Sequence, residues 1–318
     1  MRARIIVTFI LLNINVLVGC GHRAAEERNL NMNLNLPLVL GKDTELKPLS
    51  ELRDGDLQKK LDAEIDKNGK WKKLIDNKMM AVGLVDLRDL NNIRFASING
   101  DEIMYAASLP KIAVLLATAD ALEKGELKET PAIHNDMRLM ISRSNNEATT
   151  RLIDLLGYDK IREVVTSPEY KLYDPEQGGG LWVGKRYAKT GTRVPEPIKG
   201  ISHAATADQV CRFYYMLIQG KLVSYDRSKQ MLDMMIDPEI HHKFVNSIEK
   251  IRPNAKLFRK SGTWKNYHAD SILVWGENDR FILVGLLQDD DGERILRQLI
   301  YTVEDVLDEC DEALSLGK

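Results

Sequence analysis

A serine and a lysine three positions apart are the first pair in this 318-residue chain that could perform nucleophilic chemistry. Ser108 and Lys111 stand at the start of the apolar run "AASLPKIAVLLATADALEKG", which predicts a helix. Positions i and i+3 share a helix face, so a neutral lysine there could take the proton of the serine hydroxyl. Alternatively, Ser108 is an N-cap and Lys111 a solvated side chain. Taken alone, so short a pattern favours the second interpretation, because it occurs often by chance.

A polar triplet, Ser144-Asn145-Asn146, precedes a second apolar helix. Its presence favours the catalytic interpretation of Ser108 and Lys111. A serine at this place can relay a proton, and an amide two residues further on can hold an amide group of a substrate. Ser144 and Asn145 could also cap the helix that is predicted to start near Glu147. Capping and catalysis do not exclude each other.

Two lysine triplets compete to supply a cationic element on the edge of a strand. The first, "KTG" at 189–191, lies between "GGGLWVGKRY" and "RVPEPIKG". Its glycines and prolines argue against a central strand. The second, "KSG" at 260–262, follows strand-like residues and precedes a predicted hairpin. We therefore assign the role to Lys260.

The ordered motifs S-x-x-K, S-x-N in "MISRSNNEAT" and K-S-G on a late strand resemble those of the class A β-lactamase family and its penicillin-binding relatives. The resemblance extends from about residue 78 to about residue 310. It implies an α/β sandwich lobe beside an all-helical lobe, which agrees with the order of predicted elements described below.

The resemblance also implies a role for each motif residue. Ser108 attacks a carbonyl and becomes acylated, Lys111 activates it, and Ser144 carries a proton to the leaving nitrogen. Asn146 holds the side-chain amide of the substrate. Lys260 supplies charge beside Ser144 and for the substrate carboxylate, and backbone N–H groups of Ser108 and Thr263 form the oxyanion hole. The implied substrate-binding residues are Asn146, Lys260, Ser261, Gly262 and Thr263.

Three departures from the family pattern concern the middle of the chain. Asn145 replaces the usual aspartate, and the spacing from Ser108 to Ser144 is short. No E-x-x-L-N string, which positions a deacylating water in class A enzymes, occurs between 158 and 205. Glu196 in "TRVPEPIKG" is the nearest substitute, and the alternative is that it is a solvated loop carboxylate.

These features lead to three functional expectations. The first is a serine acyl-hydrolase that forms an acyl-enzyme on Ser108 with β-lactams and hydrolyses them. The second is a penicillin-binding protein, similar to D-alanyl-D-alanine peptidases, that acts on peptidoglycan peptides and deacylates poorly. The third, a non-catalytic binding lipoprotein, fits poorly with three intact motifs. No cofactor or metal is expected, because the histidines form no H-x-x-x-H and His241 and His242 are adjacent.

The elements that must position these residues follow from hydrophobic periodicity. One or two helices are predicted within 49–78, a hairpin by "MAVGLVDL" and "IRFASI", and a helical region over 109–165. A long loop at 166–203 precedes further helices, strands near 256–260, 268–276 and 280–288, and a helix over 291–310.

This order predicts an α/β (α+β) fold in which one five-stranded antiparallel sheet is flanked by terminal helices. The sheet lobe is expected at 48–108 and 253–318, and the all-helical lobe at 109–252. A cleft between the two is a favoured place for a site.

The N-terminus predicts export. Arg2 and Arg4 precede an apolar run that is shorter than the roughly 20 residues of a membrane span, and "LVGC" follows it. This pattern resembles a bacterial lipoprotein signal over 1–19, with Cys20 lipidated and 20–47 acting as a flexible tether. We expect anchoring on the periplasmic side of the envelope, at the outer membrane because Gly21 rather than aspartate follows Cys20.

Charge and cysteine content limit the possible partners. A formal net charge of −2 lacks the positive excess that is typical of nucleic-acid-binding proteins. We expect a monomer whose partners are a small substrate and the membrane. Cys211 and Cys310 could pair in an oxidising compartment or remain as buried free thiols, and the sequence leaves both possibilities open.

Overall fold

A computed structural model describes residues 37–38, 46–277 and 279–316. The predicted signal over 1–19, Cys20 and most of the predicted tether lie outside the described residues. None of the helices that the model describes is both long enough and apolar enough to span a membrane.

Several helices begin directly after a polar residue whose side chain caps them. Asp54 and Asn68 cap the first two helices, and the Thr206 side chain accepts from the backbone N–H of Gln209 at the start of another. The helices are α1 (Gly55–Asp66), α2 (Gly69–Asp76), α3 (Lys111–Glu123), α4 (Pro131–Ser142), α5 (Asn146–Thr166), α6 (Ala207–Ile218), α7 (Tyr225–Met235), α8 (Phe244–Ile251) and α9 (Gly292–Leu316). Single turns of 3₁₀ helix occupy Leu49–Leu52 and Pro175–Gln177.

A five-stranded antiparallel sheet forms the centre of the molecule, which confirms the predicted fold class. The strands are β1 (Met80–Asp86), β2 (Arg94–Ile98), β3 (Met104–Tyr105), β4 (Tyr173–Asp174), β5 (Gly179–Gly180), β6 (Trp182–Val183), β7 (His203–Ala205), β8 (Lys256–Trp264), β9 (Tyr267–Trp275) and β10 (Arg280–Gln288). The order of the five-stranded sheet is β2-β1-β10-β9-β8, so β8 lies at one edge. The long loop predicted at 166–203 therefore contains β4, β5 and β6.

Each face of the sheet is covered by its own apolar core, as the alternation of side chains along a strand requires. On β10, Ile282 and Val284 join the core beneath the helical block, whereas Phe281 and Leu283 join the core beneath the terminal helices. Helix α6 packs on the sheet from the helical side, and α1 and α9 cover the opposite face.

Helix α8 departs from the predicted division into lobes. It falls within the range 109–252 that the sequence assigns to the helical lobe, but it packs against α9 and adds Phe244, Val245 and Ile248 to the core of the terminal helices. The periodicity of a short helix shows that one side is apolar and does not show which face of the sheet that side covers.

Candidate active site

Ser108 lies in a turn that precedes α3, rather than at its cap. Helix α3 begins at Lys111, and Pro110 is the N-cap residue, so the interpretation of Ser108 as an N-cap is wrong. Ala107 has a left-handed backbone with φ of 50°, an unfavourable conformation for a residue with a side chain. The turn places Ser108, half-buried, in the wall of a cleft of about 1290 Å³.

Lys111 is completely buried, so its interpretation as a solvated side chain is also wrong. Its Nζ donates to the Ser144 carbonyl at 2.6 Å and to Asn146 Oδ1 at 2.8 Å, and it lies 3.4 Å from Ser144 Oγ. Burial lowers the pKa of Lys111 to about 7. A neutral amine has two N–H groups and one lone pair, so the two short bonds leave the lone pair free to accept a proton.

The Ser144-Asn145-Asn146 triplet combines capping with contacts to the buried lysine. Asn145 is the N-cap of α5 and accepts from the N–H of Ala148 at 2.8 Å. Ser144 has a left-handed backbone with φ of 53°, and Asn146 lies at the first helical position, in the cleft wall. Asn145 rather than Ser144 therefore caps the helix, and the two neighbours of Asn145 contact Lys111.

Lys260 approaches the same serine from the edge of the sheet. The side chain is buried, and its Nζ donates to Ser144 Oγ at 2.9 Å and to the Ser261 carbonyl at 2.7 Å. Burial, then the charges of Lys111 and Arg259, hold the pKa of Lys260 well below its ordinary value. Ser144 Oγ therefore lies between the amines of Lys111 and Lys260, in hydrogen-bond contact with both.

Gly262 lets β8 pass directly beside the serine turn. A Cβ atom at this position would lie 2.2 Å from the Ala106 carbonyl oxygen and 2.6 Å from the backbone N of Ser108. No side chain fits at such distances without movement of the backbone. Ser261 is buried beside it, and Thr263 is exposed in the cleft wall, where Ser108 and Asn146 also lie.

The two lysine triplets of the sequence lie in different environments. Lys260 belongs to β8, within the sheet, whereas Lys189 lies in an exposed loop at the cleft wall. Of these two lysines, Lys260 alone makes a contact with Ser144 in the described part of the chain.

The sequence profile described as the β-lactamase enzyme family matches residues 69–305, about three quarters of the chain. The chain belongs to the β-lactamase enzyme family. A search of curated proteins found no match.

Solved structures of the β-lactamase type share the fold. A β-lactamase from Sphaerobacter thermophilus is 17% identical with a TM-score of 0.59, and the match covers 79% of this chain and 95% of the other. The structure of PBP-A is 18% identical with a TM-score of 0.58, covering 81% and 97%. A mutant of PBP-A, solved as an acyl-enzyme complex with penicillin G, is 20% identical with a TM-score of 0.58, covering 83% and 100%.

Glu196, the residue that the sequence offers for deacylation, lies in a turn of the loop before β7. It is buried rather than solvated, and it is absent from the described wall of the cleft. Its Oε1 accepts from the Tyr173 hydroxyl at 2.5 Å and from the N–H of Ile198 at 2.6 Å, and its Oε2 accepts from the N–H of Lys199 at 2.8 Å. These bonds make it the anchor of a turn.

Tyr187 is a contact of the buried lysine that the sequence did not indicate. Its ring centroid lies 4.4 Å from Lys111 Nζ, and its hydroxyl donates to the Ala107 carbonyl at 3.0 Å. His203 packs against the ring at 4.3 Å between centroids and is itself buried. The only sequence signal was the position of Tyr187 in "YAKTGTR", beside the triplet at 189–191 that resembles the family motif.

Lys243 is a second residue that sequence reasoning missed. It is completely buried beneath β8, where its Nζ donates to the Gly262 carbonyl at 2.6 Å, to Thr263 Oγ1 at 2.8 Å and to the Ala269 carbonyl at 3.0 Å. Because Lys243 occupies a lone pair of Thr263 Oγ1, the hydroxyl proton of Thr263 is free to point elsewhere. Nothing in the "HHKF" sequence indicates this contact.

Proposed function

We propose that Ser108 is acylated by β-lactams and by peptidoglycan-type peptides, and that the acyl group is then released slowly, as in a penicillin-binding protein. The observation that carries this proposal is the position of Ser144 Oγ between the buried amines of Lys111 and Lys260. Membership of the β-lactamase enzyme family supports a serine hydrolase of this type.

We infer a route for the proton from nucleophile to leaving group, and the contacts of Ser144 with both lysines support it. Neutral Lys111 takes the proton of the Ser108 hydroxyl as the serine oxygen bonds to the lactam or amide carbonyl carbon. Ser144 passes a proton to the nitrogen as the carbonyl carbon–nitrogen bond breaks, and its own proton is replaced from Lys111. Lys260 stabilises the negative charge on Ser144 Oγ during this transfer.

Slow deacylation is supported by what surrounds Lys111. Among the described residues of the cleft wall the sole carboxylate is that of Glu147, which is exposed at the start of α5. Glu196 is held by Tyr173 and two backbone N–H groups, and the Tyr187 ring covers Lys111 from the loop side. A water molecule that attacks the acyl-enzyme needs a general base, and no carboxylate contacts Lys111 in the described structure.

Rapid β-lactam hydrolysis is the second candidate, because Glu147 does line the cleft. The time course of product release after mixing the full-length protein with an excess of a chromogenic cephalosporin distinguishes slow deacylation from rapid hydrolysis. Slow deacylation gives a burst of one equivalent of product followed by a much slower steady rate, and Ser108→Ala gives neither. Sustained turnover that Glu147→Gln abolishes would instead support a β-lactamase. Absence of both burst and turnover would contradict both candidates.

We further propose that the protein acts in the bacterial envelope, anchored through lipid on Cys20. The support is the "LVGC" pattern of the N-terminus. Growth of an expressing bacterium with an alkyne-tagged fatty acid should label the wild-type protein and leave Cys20→Ala unlabelled. Equal labelling of both would contradict the anchor.

A further inference from the structure

The cleft that contains Ser108 is lined by many more positive than negative side chains. Seven lysines and arginines contribute to its described wall, against the single carboxylate of Glu147. The whole chain, by contrast, has a formal net charge of −2. Positive charge is therefore concentrated at the cleft and is not a general property of the surface.

Three of these seven cations are paired with carboxylates outside the cleft wall. Lys78 Nζ lies 3.0 Å from Glu102 Oε2, and Lys199 forms an ion pair with the other oxygen of Glu102. Arg186 Nε lies 2.5 Å from Asp154 Oδ1. These pairs leave little of the three cations' charge for a ligand.

The other four cations have no carboxylate partner among the described residues. Lys189, Arg193 and Lys265 are exposed, and Lys185 is half-buried. Lys185 and Arg193 are joined by an isolated β-bridge, so their backbones lie side by side, and Lys265 lies at the turn between β8 and β9. Charge from two separate segments thus converges on one cleft.

His203 lies in the same wall, beside Lys185. It is buried, and its Nε2 lies 3.0 Å from the Lys185 carbonyl oxygen. Burial lowers the pKa of His203 to about 4, and the charges of Lys111, Lys185 and Arg193 act in the same direction.

We propose that this cleft selects acyl donors that carry negative charge in addition to the single carboxylate expected beside Lys260. The ligand class is an acidic peptide, or a β-lactam with a second carboxylate on its side chain. The inference rests on the proposed acylation of Ser108 and adds its substrate class. Exposed lysines contribute mainly to the rate of encounter, which should therefore depend on salt.

Three penicillins that share a nucleus and differ in side-chain charge test the selection. Carbenicillin adds a carboxylate to benzylpenicillin, and ampicillin adds an ammonium. At low ionic strength we expect the second-order rate constant for acylation of the full-length protein to fall in the order carbenicillin, benzylpenicillin, ampicillin, with steps of about threefold or more. The differences between the three rate constants should shrink in about 0.5 M salt, because salt then screens charges beyond a distance on the order of a few ångströms.

A double variant and a matched control assign the effect to the cleft. Lys189→Glu with Lys265→Glu changes two exposed side chains and should remove or reverse the preference for carbenicillin over benzylpenicillin. Lys59→Glu with Lys73→Glu makes the same change of charge at exposed positions of α1 and α2, outside the cleft wall, and should keep the preference. Equal rates for the three penicillins in the wild-type protein, or an unchanged preference in the double variant, would overturn the inference.

Charge selection can also be measured by non-covalent binding, which does not require that a penicillin acylates the protein. Binding of N-acetyl-glutamyl-glutamate and of its uncharged diamide is compared by calorimetry with the wild-type protein. We expect the anionic peptide to bind at least about fivefold more tightly at low salt, and less tightly to the double variant. Acylation without charge preference contradicts only the inference, and anion binding without acylation contradicts only the proposed function. Equal affinities for the two peptides would also count against the inference.

Discussion

Lys111 is the residue on which the proposed chemistry depends, because only its neutral form can accept the serine proton. Full burial lowers its pKa to about 7, and the hydrogen bonds to the Ser144 carbonyl and Asn146 fix its direction. An exposed lysine with an ordinary pKa near 10.4 would be charged at neutral pH and unable to act as a base.

The pH dependence of acylation follows from this pKa. Below about 7 Lys111 is protonated and cannot serve as base, so the rate constant for acylation should rise roughly tenfold from pH 6 to pH 8 and then level off. Stopped-flow measurement with benzylpenicillin checks the profile. The Lys111→Arg variant stays charged, so its rate constant for acylation should be about a hundredfold or more lower than that of the wild type at every pH in this range. A flat profile between pH 6 and pH 8 would contradict the role of Lys111.

Tyr187 is expected to control the lifetime of the acyl-enzyme. Its ring covers Lys111 Nζ, so Tyr187→Ala should admit water to the loop side of the amine and shorten the lifetime by about tenfold or more. Tyr187→Phe keeps the ring and loses only the bond to the Ala107 carbonyl, so its acyl-enzyme should remain long-lived. Mass spectrometry after removal of free penicillin measures both lifetimes, and equal values for wild type and Tyr187→Ala would exclude this role.

At the residue scale, the sequence indicated groups that act through local spacing and missed those that act across the fold. Ser108, Lys111, Ser144 and Asn146 stand in short motifs whose geometry depends on a few adjacent residues. The contact between Lys111 and Tyr187 joins a buried helix to a distant loop, and no local pattern predicts it.

Strand β8 is the element that completes the site, and Gly262 is the point at which it meets the serine turn. Gly262→Ala would place a Cβ against the Ala106 carbonyl and the Ser108 N–H, so β8 must move. We expect acylation to slow about a hundredfold and the free energy of unfolding to fall by about 1–3 kcal/mol. Gly55→Ala, at a site with nothing within 4 Å of the added Cβ, is the control for urea unfolding and for acylation. Unaltered acylation in Gly262→Ala would contradict the close approach.

The turn at 196–199 is expected to be structural. Glu196→Gln replaces a carboxylate oxygen by an amide group that cannot accept from a backbone N–H, so urea unfolding should show a loss of about 1–3 kcal/mol. The exposed Glu169→Gln should show no such loss. If Glu196→Gln instead prolonged the acyl-enzyme without affecting stability, Glu196 would be the deacylation base.

At the element scale, long periodic segments were predictable and short ones were not. The three late strands and the paired helices α1 and α2 carry clear alternation or helical spacing, and the glycines and prolines around Lys189 correctly placed it outside the sheet. Strands β4 to β6 have two residues each, too few for any period to show. The side of the sheet that α8 covers is decided by packing against α9.

In the described part of the chain the five-stranded antiparallel sheet lies between two apolar cores, and the proposed chemistry lies at its β8 edge beside the helical block. Each part of the site comes from a different segment: a turn before α3, the start of α5 and the edge strand β8. Cys211 and Cys310 are free and buried in different cores, so no disulfide joins these segments in the described structure. The site therefore depends on the packing of the folded chain as a unit.

The most direct test of the account is the intact mass of the full-length protein after incubation with benzylpenicillin. Formation of one covalent acyl bond at Ser108 predicts an increase equal to the mass of one penicillin, persistence of that increase after the free drug is removed, and no increase in Ser108→Ala. A wild-type protein whose mass does not change, or an adduct that also forms on Ser108→Ala, would contradict the assignment of Ser108 as the nucleophile.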